Sequence, residues 1–334
     1  MVALAAEILR DRSGSVAVDP KRVASRVLLL SSALALAAGS AAAQQAAPEP
    51  QCGGVTGNPQ LSIQACTRAI EFGSLERPEL AKAYYARGSE YAAQGNHDRA
   101  IADFNLALEL DPGFAHAYHN RALSWAHKDD ADRAIEDYGA ALKLQPKDAG
   151  AYLGRAVEWT VKGDYKRSIA DYNEAIRIEP KSSSAYFGRA RARFYAGAFT
   201  AAASDFYRAH QLEPSIYAAL WLFLARKHAD IPGEKTLVED ARTSGAGDWP
   251  APLVALYTGS ATPEGVHKAA AHPDAARERD QRCEANFYLA QWHVLRGERE
   301  PALKLLREAQ SGCPRTFIEH EGAVAELRRL QPKR

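Results

Sequence analysis

The residues of this 334-residue chain that could do chemistry are a trio of histidines, four cysteines and a recurring arginine–aspartate pair. His116 and His119 lie one helical turn apart, with His127 two turns further on, and three imidazoles so spaced could hold a metal ion. The simpler reading is surface histidines along one helix face, so no metal site and no cofactor are expected. Arg87, Arg121, Arg155 and Arg189 recur in step with Asp103, Asp137, Asp171 and Asp205. A strict repeat of this kind suggests a ladder of ion pairs satisfying charges beside a packed layer, rather than a ligand site. No H-E-x-x-H, G-x-S-x-G, phosphate-loop or dinucleotide-binding pattern occurs, so no catalytic residues are assigned and the chain reads as a non-enzyme. Cys52 and Cys66 flank "GGVTGNPQLSIQA", and Cys283 and Cys313 stand near the other end. Neither pair has the C-x-x-C spacing of a zinc or redox site.

Composition narrows the function classes. Beyond residue 43 the chain holds 37 basic and 38 acidic residues, which is no excess for displacing counterions from a nucleic-acid backbone. Residues 1–43 read as an export signal peptide. "KRVASR" supplies positive charge, "VLLLSSALALAA" an apolar run too short to span a bilayer, and "SAAAQQ" a cleavage site after Ala43. Residues 44–51 form a linker. Cys52 follows "AAPEPQ", well past the apolar run, so a lipid anchor is not expected. Without an Arg-Arg pair in the leader, general secretion to an oxidising compartment is expected, the periplasm of a Gram-negative bacterium.

The elements that position these residues repeat. Pro112, Pro146, Pro180 and Pro214 are each 34 residues apart, as are Tyr84, Tyr118, Tyr152 and Tyr186. Numbering each unit from Ala81, Ala115, Ala149 or Ser183 as position 1 puts the four tyrosines at position 4 and Gly88, Ala122, Ala156 and Ala190 at position 8. Tyr91, Trp125 and Trp159 fall at position 11, where Arg193 breaks the pattern. Phe104, Tyr138, Tyr172 and Phe206 fall at position 24, between alanines or serine at 20 and alanines at 27. Spacings of 4 and 3 place these on one helical face. Small residues let two helices approach, the aromatic fills the gap beside them, and the proline ends each second helix. This resembles the tetratricopeptide repeat (TPR) family, a helix–turn–helix unit, and predicts an all-α right-handed solenoid of antiparallel helix pairs with a helical C-terminal extension.

Flanking segments extend the array. Residues 52–78 hold an N-terminal helix, 79–214 four TPR units, 215–280 degenerate helical repeats, and 281–334 a TPR-like unit plus a helix, "FIEHEGAVAELRRL", that caps the solenoid. "CEANFYLAQWHVLRGEREPALKLLREA" followed by "FIEHEGAVAEL" is similar to the end of NlpI-type periplasmic TPR lipoproteins, which implies an adaptor docking cell-wall hydrolases and a processing protease. Repeat geometry makes Cys283, at the start of a first helix, a neighbour of Cys313, after its antiparallel partner. That leaves Cys52 with Cys66, so disulfides Cys52–Cys66 and Cys283–Cys313 are expected.

The family resemblance also implies a concave groove lined by first-helix residues. Those are Tyr85 and Ser89 in the first unit, then His116, His119, Leu123 and His127 in the second. Leu153, Val157 and Thr160 follow in the third, and Phe187, Arg191, Phe194 and Tyr195 in the fourth. This surface is mixed apolar and aromatic with little charge, and lacks the Lys/Arg/Asn set that clamps an acidic C-terminus. It suits a protein partner inserting apolar or aromatic side chains; the other reading is a groove filled by the chain's own C-terminal helices. The expected function is an exported adaptor or scaffold. The alternative is a structural envelope assembly protein that self-associates, and a homodimer is compatible with either.

Overall fold

A computed structural model describes residues 52, 58–72, 75–244 and 247–330. The expected signal peptide and linker lie outside the described residues. Every element among those described is a helix, in the order α1 Pro59–Phe72, α2 Arg77–Ala93, α3 His97–Leu110, α4 Ala115–His127, α5 Ala131–Leu144, α6 Ala149–Lys162, α7 Tyr165–Ile178, α8 Ser183–Tyr195 and α9 Phe199–Leu212. These are followed by α10 Ile216–His228, α11 Glu234–Thr243, α12 Ala251–Tyr257, α13 Pro263–Ala269, α14 Ala275–Leu295, α15 Arg299–Gly312 and α16 Ile318–Leu330. Helices α2 to α9 are four hairpins, each packed on the next, and α1 packs ahead of them.

Local chemistry sets each hairpin. Asn96, Asp130 and Asp164 cap the second helices by accepting from the backbone N–H three residues on. Gly95, Gly163 and Gly197 supply the left-handed turn before them, and in the second hairpin Asp129 takes that conformation at φ 59°. Inside the stack, Phe104, Tyr138, Tyr172 and Phe206 are at most 2% exposed and fill the space between helices. Two of these rings demand glycine in the next unit. A Cβ on Gly154 would stand 2.3 Å from the Tyr138 ring, and one on Gly188 2.4 Å from that of Tyr172.

The expected ion-pair ladder is present. Arg87, Arg121, Arg155 and Arg189 each grip the aspartate 16 residues on through two hydrogen bonds of 2.7–2.8 Å. Arg121 also donates to Asn105 of the preceding hairpin, and Arg189 likewise to Asn173, so the arginines tie neighbouring units as well as their own two helices. Arg193, where the aromatic pattern breaks, joins Asp205 at 2.6 Å as a second cation. The aromatics that do occupy that position lie beneath second-helix arginines, Trp125 under Arg133 at 4.2 Å and Trp159 under Arg167 at 4.6 Å.

Beyond α9 the layered arrangement gives way to one core. Helix α10 is apolar on every side, and Trp221 at its centre packs on Phe194, Phe206 and Phe287 with ring centroids 5.3–5.7 Å apart. The sequence pairings of cysteines recur in space, with Cys52 bonded to Cys66 and Cys283 to Cys313. The last helix packs on the final hairpin and also reaches beyond it. Helix α16 turns inward, packing on α14 and α15 and reaching α8. Gly322 permits this approach, since a Cβ there would meet the Phe287 ring at 2.7 Å.

Candidate functional site

The inward turn of α16 divides the concave surface into two parts. Over α2 and α4 the groove is open and its residues bond to one another. Asn120 donates to the Tyr85 hydroxyl at 3.1 Å and to Ser89 Oγ at 3.3 Å, and the Tyr85 ring lies 4.7 Å from Phe114. His119 Nδ1 pairs with Asp148 at 2.9 Å, His127 stacks on His97 at 4.5 Å, and His116 is exposed beside Phe114. The three histidines do not converge, and the described residues contain no group of three or more metal-ligating side chains. Leu123 is half-buried in this open part.

Over α6 and α8 the groove becomes a cavity of about 1110 Å³, with the C-terminal region as its second wall. His127, Val157, Thr160, Phe187 and Arg191 line the TPR wall, while Leu153 packs under it against the Tyr172 cluster. Tyr217, Trp249, Glu284 and the segment from Cys313 to Glu321 line the opposite wall. Arg315 reaches across to Asp129 at 2.8 Å, and Arg191 faces Glu321 at 3.6 Å. The strained backbone of Asp129 thus carries the carboxylate that meets the far wall.

Two expected groove residues are corrected. Phe194 is fully buried and Tyr195 is 5% exposed, because α10 and α16 cover the face of α8 that would be open in a plain repeat. Thr160 and Arg191 border the cavity but are themselves buried, Thr160 bonding Ser168 Oγ at 2.7 Å. The expectation of a groove with little charge is also overturned. Asp129, Glu158, Glu213, Asp280, Glu284, Glu319 and Glu321 border the cavity, against Arg191, Arg315 and Arg328.

These carboxyls came largely from outside the positions that the repeat marks as groove-lining. Glu158 is one residue past Val157, where the neighbouring units carry Ser124 and Ala192. Its burial, with Glu321 and Asp129 nearby, raises its pKa to about 7. Burial likewise raises Glu284 to about 7, although Tyr217 Oη and Trp249 Nε1 each donate to it at 2.8 Å. Burial also raises Glu321, against the opposing pull of Arg191. The readable signal was in α16. Glu319 and Glu326 share a helical face with Gly322 and Ala323, so acids sit on the side that the pattern marks as buried.

Comparison with known proteins bears on the fold. Family models described as tetratricopeptide repeat match residues 81–114 and, in two overlapping copies, 128–180 and 160–219. The mouse protein described as "FK506-binding protein-like" is 41% identical over 61 residues, covering 18% of this chain and 16% of that protein. The chain therefore spans about a sixth of the length of the curated relatives it matches. The crystal structure of a TPR protein from Parabacteroides merdae has a TM-score of 0.51 at 14% identity, covering 80% of this chain and 92% of that one. The C-terminal part of a TPR repeat-containing protein from Cytophaga hutchinsonii has a TM-score of 0.50 at 16% identity, covering 79% and 94%. The matches place tetratricopeptide repeats at residues 81–114 and 128–219, and with four hairpins in register the chain has the all-α fold of a TPR solenoid.

Proposed function

We propose that this protein is an exported, non-enzymatic adaptor that holds a partner protein in the cavity between its third and fourth repeats and its C-terminal helices. The observation that carries this reading is the cavity itself. A groove-lining wall of Val157, Phe187 and His127 faces a second wall across open space rather than being packed shut. Apolar seats beside polar groups that fix orientation are what recognition sites share. Export is supported by two disulfides with no free cysteine among the described residues. No described helix is long and apolar enough to cross a membrane. Envelope hydrolases or a processing protease are the partner class implied by the C-terminal resemblance. Self-association as an envelope assembly protein is the competing role, with the cavity as a secondary feature.

Val161 offers a test that spares the core, because it borders the cavity and is 48% exposed. The tagged protein should capture a partner from envelope extract, and the exchange Val161→Arg at the cavity rim should abolish capture without lowering the melting temperature. Unchanged capture by that variant contradicts the reading. Phe194→Ala is unsuitable, since emptying a fully buried aromatic site costs about 3–5 kcal/mol.

A further inference from the structure

Glu158 is 8% exposed, borders the cavity, and makes no hydrogen bond or ion pair among the described residues. Its carboxyl oxygens are not among the fully enclosed unpartnered atoms, so they open onto the cavity, where no side chain meets them. The cations nearest to hand are committed elsewhere. Arg191 faces Glu321 at 3.6 Å and lies over the Phe187 ring at 5.8 Å, Arg315 is on Asp129 at 2.8 Å, and Arg328 lies beside Tyr165. The cavity lining as a whole carries seven carboxyls against three arginines. Its volume of about 1110 Å³ reaches the top of the roughly 300–1,000 Å³ range of small-molecule sites, so a short chain segment has room.

From the unpartnered Glu158 and the acidic excess around it, we infer that the cavity takes a lysine or arginine side chain presented by an extended segment of a partner protein, with Glu158 as its counterion. This rests on the adaptor reading and adds the chemistry of the partner. Val157 and Phe187 seat the aliphatic stem or an apolar neighbour, while the charged head reaches Glu158. A cation arriving there replaces lost hydration with a direct charge-assisted bond. It also relieves the mutual repulsion of Glu158, Glu321 and Asp129. Specificity follows from the same geometry, since an apolar side chain would cover the carboxyl and leave it without a partner.

The test is selection of phage-displayed random linear heptapeptides on the oxidised protein, followed by affinity measurement on a synthetic copy of an enriched peptide. Enriched peptides should share one Lys or Arg position. Glu158→Gln, an isosteric change, should weaken binding at least tenfold, as should replacing the peptide's basic residue by norleucine. Both changes together should cost no more than either alone, because they remove the same contact. Enriched peptides that lack a basic residue, or that bind Glu158→Gln within twofold of the wild type, overturn the inference. If those peptides are still displaced by Val161→Arg, the adaptor reading stands without it. Failure to enrich any peptide sensitive to Val161→Arg overturns both.

Discussion

At the residue scale, the carboxyls of the cavity and of the ladder differ in what satisfies them. Glu158 has its pKa raised from the ordinary 4.5 to about 7. Between those values the folded protein holds a proton that the unfolded chain releases, so its contribution to stability is lost as pH rises through the window. Glu158→Gln should therefore match the wild type near pH 4.5 and be more stable by about 3 kcal/mol at pH 8. Denaturant melts across this pH range check it, and a difference that does not grow with pH contradicts it. A stabilising exchange that also weakens binding would mark Glu158 as a residue retained for recognition. Asp171, by contrast, receives two bonds of 2.8 Å from Arg155. Arg155→Ala leaves that aspartate, with its side chain 10% exposed, without its cation, and should cost about 3 kcal/mol. Urea unfolding measures this, and a loss below about 0.5 kcal/mol would refute a structural ladder. The ladder was legible because its period is that of the repeat. Glu158 was not, since one charged residue in one unit has no period, and the wall it faces is built from segments distant in sequence, Tyr217 to Glu321.

At the element scale, each hairpin repeats one design and its exceptions are informative. Asn105 and Asn173 accept from the arginine of the following unit, and Gly139 occupies the corresponding place on α5. A Cβ at Gly139 would lie 3.6 Å from Arg155 Nη1, an ordinary contact. Gly139→Asn should restore the missing bond and remove a mid-helix glycine, stabilising by about 1 kcal/mol. A thermal melt that shows no rise would contradict this account of the inter-unit tie. The disulfides staple the two ends, Cys52–Cys66 at a sequence separation of 14 and Cys283–Cys313 at 30. In the chain-entropy view each stabilises by about 3–4 kcal/mol. Reduction should lower the melting temperature and expose α14 and α15 to hydrogen exchange before α4 to α7, and uniform exchange would argue against local stapling. The hairpins and both cysteine pairings could be read from spacing. The direction of α16 could not, because amphipathicity says that a helix buries one face and not which partner covers it. Gly322 against Phe287 decides that, through a contact between segments distant in sequence.

For the molecule as a whole, the solenoid is closed on itself by its C-terminal region. In the first three repeats the core is a series of thin layers, whereas from the fourth repeat onward one continuous core joins α8 to α16. The chain's own helices therefore occupy part of the concave face, as one of the two sequence readings had it, and leave a walled cavity where the other expected a partner. On the proposed adaptor role, a partner entering the cavity would meet two walls at once, the TPR face at Phe187 and the C-terminal wall at Phe317. Photocrosslinking in the envelope tests this most directly, with benzoylphenylalanine placed at position 187 inside the cavity or at position 207. Tyr207 is 46% exposed on α9, which contributes nothing to the cavity lining. The account predicts a protein adduct from position 187 and none from 207. Adducts from 207 with none from 187 would contradict it.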